Sequence, residues 1–132
     1  MDEQAVRAVL THYIAHSGTD EDTAHEIYHP DAVLEFPQSG ERFDGVENFR
    51  EWRRRYPAAV SYELGRVRGG GDVWVAELLV WYDGGPPKYG VDILEFRGDR
   101  LARESIYVTD GWEAPAWRAP WRAAPATHPT GS

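Results

Sequence analysis

The chain contains no cysteine, which removes disulfides, thiolate metal sites and cysteine nucleophiles together and leaves the fold to be held by its apolar core. Long hydrophobic runs are also missing: the longest, around Leu78 to Tyr82, is far too short to span a bilayer, so a soluble protein with no membrane contact is expected. Basic charge is scarce, with 14 Lys and Arg against 22 Asp and Glu, and a net charge of −8 repels a phosphate backbone, so no nucleic-acid partner is expected. One basic cluster exists, Arg50, Arg53, Arg54 and Arg55, but Glu47 and Glu51 interleave with it as on a solvated helical face. The amino terminus, Met1-Asp2-Glu3-Gln4, lacks the basic and apolar stretches of a secretory leader, which makes the cytoplasm the expected compartment. The glycines at 69 to 71 and 84 to 85 sit in turns without the lysine of a phosphate loop, and no Gly-x-Ser-x-Gly elbow occurs. No cofactor is implied.

What the chain does have is aromatic residues, with 6 Trp, 7 Tyr and 4 Phe in 132 residues, enough for one substantial core and too little chain for two. One domain is expected over residues 1–122, including a Trp-rich segment from 111, with 123–132 an unstructured tail.

Val6, Val9, Leu10, Tyr13 and Ile14 recur at helical spacing behind Asp2 as a cap, and Ser17-Gly18 ends that helix. Thr19 and Asp20 cap a shorter helix carrying Ala24, Ile27 and Tyr28, closed by Pro30. Asp31 to Pro37 reads as a strand turning through Gln38-Ser39-Gly40 into Arg42-Phe43. Val46, Phe49, Trp52 and Tyr56 predict a third helix up to Pro57. Four strands follow, Ala59 to Arg68, Val73 to Asp83, Tyr89 to Arg97 and Leu101 to Thr109, as an antiparallel meander. The strand from Val73 is apolar on both faces, so both must be covered. Helices cover one; the other is left to the tail or to a second copy in a homodimer, with Trp112, Trp117 and Trp121 docking.

Three segments in this order, Tyr28-His-Pro-Asp-Ala-Val-Leu-Glu-Phe-Pro, Phe43-Asp-Gly-Val-Glu-Asn-Phe and Val91-Asp-Ile-Leu-Glu-Phe-Arg-Gly-Asp-Arg-Leu, resemble the SnoaL-like branch of the nuclear transport factor 2-like superfamily, over about residues 3 to 110. The resemblance implies a cone-shaped α+β fold, with a curved antiparallel sheet packed on three helices around one pocket. That superfamily holds ketosteroid isomerase, limonene-epoxide hydrolase, polyketide cyclases and many non-enzymes, so function must come from the site.

Asp92 shares a strand face with Gly90, Leu94 and Phe96, so its carboxyl points among apolar neighbours, where it either ties down structure or works in a pocket. The resemblance aligns Asp92 with the protonated aspartic acid, and Tyr13 with the tyrosine, of the ketosteroid isomerase oxyanion hole. The same alignment puts Phe36 where that enzyme has its general base and Arg53 where it has another pocket tyrosine. Gly90 falls where limonene-epoxide hydrolase has an arginine, a place Arg53 could fill in space. By residue chemistry Asp92 is a candidate hydrogen-bond partner for the Tyr13 phenol. Glu104 is either a surface residue or a second carboxylate near the pocket rim. His16, near the end of the first helix, and His29 are candidate bases, and His12 with His16 has metal-binding spacing but no third ligand, so no metal is assigned. Phe36, Trp52, Arg53, Tyr56, Trp81 and Tyr107 are the candidate substrate contacts. The expected partner is a small, mostly apolar organic molecule, turned over by isomerisation, cyclisation or epoxide hydrolysis. Two alternatives stand beside it: a non-catalytic binding module, and a dimerisation domain whose pocket is filled by its own side chains.

Overall fold

The computed structural model describes residues 1–124; the expected tail lies outside the described residues from 125 onward. Asp2 caps α1 (Glu3–His16), its carboxylate accepting from the Ala5 N–H at 2.8 Å, and Val6 and Leu10 form the buried stripe of that helix. Asp20 caps α2 (Glu21–Ala24) through the Thr23 N–H at 3.1 Å, and a 3-10 turn, His25–Ile27, follows. Here the structure departs from the sequence expectation. Tyr28 opens the first strand, β1 (Tyr28–Phe36), instead of closing the second helix, because Pro30 disfavours helical geometry before it and Tyr28 pairs with Leu101.

β1 and β2 (Glu41–Asp44) make the expected hairpin. Gly45, at φ 89°, then takes a backbone conformation that a side chain would oppose and starts α3 (Val46–Arg54). The helix stops short of Tyr56. β3 (Val60–Gly70), β4 (Val73–Tyr82), β5 (Lys88–Arg97) and β6 (Arg100–Asp110) form the meander. The whole is one six-stranded curved sheet in the order β2-β1-β6-β5-β4-β3. It is mixed, which corrects the expectation of an antiparallel sheet: β1 runs parallel to β6, with Leu34 beside Glu104.

Alternation along β4 sends Trp74, Ala76 and Val80 toward the helices and Val75, Leu79 and Trp81 to the outer face. One end of the inner face is packed solid by Val6, Leu34, Phe49, Leu94 and Leu101, all fully buried. The other end is open, and there the cavity lies.

The segment after Asp110 does not dock as expected. Trp112, Trp117 and Trp121 are 79%, 72% and 78% exposed, and beyond a 3-10 turn, Ala116–Trp121, the segment forms no regular element up to residue 124. Among the described residues no helix is long and apolar enough to cross a membrane.

Candidate active site

A cavity of about 1060 Å³ opens between α1, α3 and the inner face of the sheet. Its walls are mainly apolar and aromatic, with Phe36, Phe43 and Trp52 on one side and Val80, Ile106 and Val108 on the other. Its polar groups converge from five elements: Tyr13 from α1, Arg53 from α3, Tyr62 from β3, Asp92 from β5 and Glu104 from β6.

The pairing of β5 with β6 brings the two carboxyl groups together. Asp92 stands opposite Ile106 and Leu94 opposite Glu104, so Asp92 and Glu104 are diagonal neighbours on the inner face, close enough for Glu104 to act on the Asp92 carboxyl. Burial, and then the neighbouring Glu104, push the Asp92 carboxyl well above the usual carboxylate range. Both effects favour the protonated form of Asp92, and a protonated carboxyl can donate to a ligand oxygen. Glu104 is 4% exposed, well inside the rim that the sequence suggested, and its surface reading is corrected by β6 passing between β1 and β5.

Tyr28 holds the other side of Glu104, its O–H donating to Glu104 Oε1, and accepts from Arg53 Nη1 at 3.0 Å. The second Nη1 contact of Arg53 is with His25 Nε2 at 3.2 Å. A guanidinium only donates, so Nε2 carries the lone pair and the His25 proton is on Nδ1, donated to the Glu21 carbonyl at 2.7 Å. Burial first, and the Arg53 charge second, lower the His25 pKa to about 4, which keeps this imidazole neutral. The sequence thus placed Arg53 in a solvated cluster, and that is corrected. Arg54 reaches Asp22 and Glu51, Arg55 reaches Glu51 and Arg50 reaches Asp22, while Arg53 turns inward against the rings of Tyr13, Tyr28, Phe49 and Trp52.

Tyr13 lines the cavity and packs edge-on against the Tyr62 ring, with centroids 6.0 Å apart, and among the described residues its phenol makes no hydrogen bond to the expected Asp92. Burial raises the pKa of Tyr13, and that of Tyr62 also, so both phenols stay protonated. Phe36, Trp52, Arg53 and Tyr56 reach the cavity. Trp81 and Tyr107 do not: they alternate to the outer face, Tyr107 opposite Val91 and Trp81 opposite Ser61. His16 lies beside His12, the ring centroids 4.8 Å apart and the planes tilted by 56°, and His29 is held by the Arg97 carbonyl at 2.5 Å; neither lines the cavity. Among the described residues no group of three or more His, Cys, Asp or Glu could hold a metal.

Sequence reading missed His25, Tyr28 and Tyr62. Tyr62 carries a signal, since Val60, Tyr62 and Leu64 alternate along β3 and Tyr62 pairs with Val80. His25 carries none, because a single 3-10 turn has no periodicity to reveal its inner side.

A family model described as SnoaL-like domain matches residues 6–104. An NTF-2-like protein of unknown function from Burkholderia xenovorans is 36% identical, with a TM-score of 0.83 over 94% of this chain and 98% of that one. A protein from Kribbella flavida provisionally named a ketosteroid isomerase shares the fold at 21% identity, TM-score 0.79, covering 97% of this chain and 96% of its own. An epoxide hydrolase of the limonene-epoxide hydrolase-like type from M. tuberculosis does so at 21% identity, TM-score 0.64, covering 80% and 82%. No protein of curated function matches the chain.

Proposed function

The chain belongs to the SnoaL-like family, and from that premise we propose that it is a cofactor-independent acid/base enzyme acting on a small, mostly apolar organic molecule inside the cavity. The observation that carries this reading is the neighbouring Asp92 and Glu104 carboxyl groups, which face apolar walls in one cavity. The cavity volume lies just above the ~300–1,000 Å³ that suits drug-sized ligands, which speaks against a pocket filled by its own side chains.

In the proposed cycle Asp92 donates its proton to the oxygen of a substrate carbonyl or epoxide. Glu104 takes a proton from the adjacent carbon in an isomerisation or cyclisation, or from water in an epoxide opening. The pair then holds a protonated Glu104 beside an ionised Asp92, and proton transfer between the two neighbours restores the starting state. Tyr28 fixes the position of Glu104 through one donated hydrogen bond, and Arg53 in turn holds the Tyr28 hydroxyl. The guanidinium comes from α3, where limonene-epoxide hydrolase would have it at the position of Gly90.

The test is proton chemistry on two probe classes. Exchange of the α-hydrogens of 2-tetralone in deuterium oxide, followed by proton NMR, reads enolisation; diol formation from styrene oxide reads hydration. Catalysis of either by the wild type, lost in Asp92→Asn and Glu104→Gln with probe binding kept, supports an enzyme. Probe binding without turnover favours the binding-module reading.

The homodimer remains part of this proposal. Tyr89, Val91 and Tyr107 are exposed on the outer sheet face, beside the three exposed tryptophans of the segment that leaves β6. Those tryptophans alone leave roughly 500 Å² of aromatic surface in water, against the ~800 Å² per partner of a standard interface.

A further inference from the structure

Arg53 is a buried cation that lines the cavity, and among the described residues no carboxylate lies within 4.0 Å of it. Both hydrogen bonds of its guanidinium leave from Nη1, to His25 Nε2 and to Tyr28 Oη. Nε and Nη2, the two nitrogens on the opposite edge, find no acceptor among the described residues. That edge carries two parallel N–H bonds and is the geometry from which arginine grips a carboxylate. The same chain uses it elsewhere: Arg103 holds Glu35 through Nε at 3.2 Å and Nη2 at 3.1 Å.

A second donor stands next to it. The indole Nε1 of Trp52, a cavity residue adjacent in sequence, is buried without a hydrogen-bond partner. Buried donors left unpaired are costly, and a buried charge more so. The aromatic rings around Arg53, with Tyr13 nearest at 5.0 Å, ease the burial of its charge but accept none of its N–H groups in the plane of the guanidinium. Glu104 compensates the charge only across the Tyr28 hydroxyl. On the cavity side, positive charge and in-plane donors therefore remain for a ligand.

We propose that the cavity's ligand is a carboxylic acid on an apolar skeleton, its carboxylate taken by the Nε/Nη2 edge of Arg53. This deepens the acid/base reading of the same cavity and rests on it for the identity of the site. The carboxylate fixes one end of the molecule against α3, and the apolar body runs toward Asp92 and the wall formed by Val80 and Ile106. His25 and Tyr28 hold Nη1, so the guanidinium cannot swing away from the orientation that presents its other edge.

The experiment compares 2-naphthoate with its methyl ester, which share a skeleton and differ in charge, by titration calorimetry at pH 7 against the whole protein. Two charge-assisted hydrogen bonds predict that the acid binds about 10- to 100-fold more tightly than the ester. Arg53→Met should abolish that preference, and Arg53→Lys, which keeps the charge but not the fork, should reduce it. Because Arg53→Met removes a buried anchor of Tyr28, the melting temperature of each variant is measured alongside, and the reduced preference in Arg53→Lys is the reading where Arg53→Met does not fold. An ester that binds as tightly as the acid overturns the proposal, as does a wild type that binds neither at about 1 mM. So does a preference that survives both Arg53 variants. Asp92→Asn separates this inference from the enzyme reading: it should leave the preference intact even where proton transfer is lost.

Discussion

Asp92 and Glu104 are diagonal neighbours across the β5–β6 pair, and burial together with the neighbouring Glu104 raises the Asp92 carboxyl well above the usual carboxylate range, which favours a proton on Asp92. The rest of the site is arranged around that proton. Tyr28 and Arg53 lie on the Glu104 side, and the Asp92 side opens to the cavity.

Asp92→Asn should stabilise the protein at high pH. The folded-state pKa of Asp92 lies above its ordinary value of 3.8, so the native state binds more protons than the unfolded chain above that pH. Its contribution is full below 3.8 and is lost as pH rises through the folded pKa, at about 1.4 kcal/mol per unit of pKa difference. Asparagine keeps the neutral shape and has no proton to lose. Urea titrations at pH 5 to 9 should show the variant gaining on the wild type as pH rises; parallel curves would contradict a raised pKa.

His25 acts in the opposite direction. Its folded pKa of about 4 lies below the ordinary 6.5, so the unfolded chain takes the extra proton between those values, and stability from this group falls as pH drops from 6.5 to 4. In His25→Gln the amide oxygen can still accept from Arg53, and no imidazole titrates. The variant should lose the acid-side slope in melting temperature that the wild type shows in that window.

Tyr28→Phe removes the donor to Glu104 and the acceptor of Arg53 in one change. Two buried polar groups then lose a partner, each worth about 1–3 kcal/mol, and denaturant titration should show a loss of that order. Turnover on either probe should fall as well, because Glu104 loses the hydrogen bond that fixes its position in the cavity.

Replacing Trp112, Trp117 and Trp121 by serine should change assembly and spare the fold. None of the three is buried and none lines the cavity, so the circular dichroism and melting curve of the monomer should be unchanged. Sedimentation velocity on the wild type should give a dimer that weakens in the triple variant. A wild-type monomer at every concentration would remove the homodimer from the proposal.

The sequence by itself determined the elements and the family. Helical spacing around Val6 and Leu10, the caps Asp2 and Asp20, and the apolar alternation of β4 are local, so they can be read without knowing what lies across the chain. Alternation along β5 likewise set Asp92 on the inner face. Only the tertiary structure decided what Asp92 meets. Glu104 and Asp92 become neighbours through the β5–β6 register, and Tyr28, 76 residues from Glu104 in the chain, reaches it because β1 pairs parallel with β6. Arg53 follows Phe49 by one helical turn and Val46 by two, so spacing alone sets it on the buried face of α3, apart from the solvated arginines beside it; what the sequence left open is which rings and acceptors it meets there. The donors and the carboxyl pair of the cavity are side chains from separate elements, brought together by strand order and helix packing, and those are properties of the folded chain as a whole.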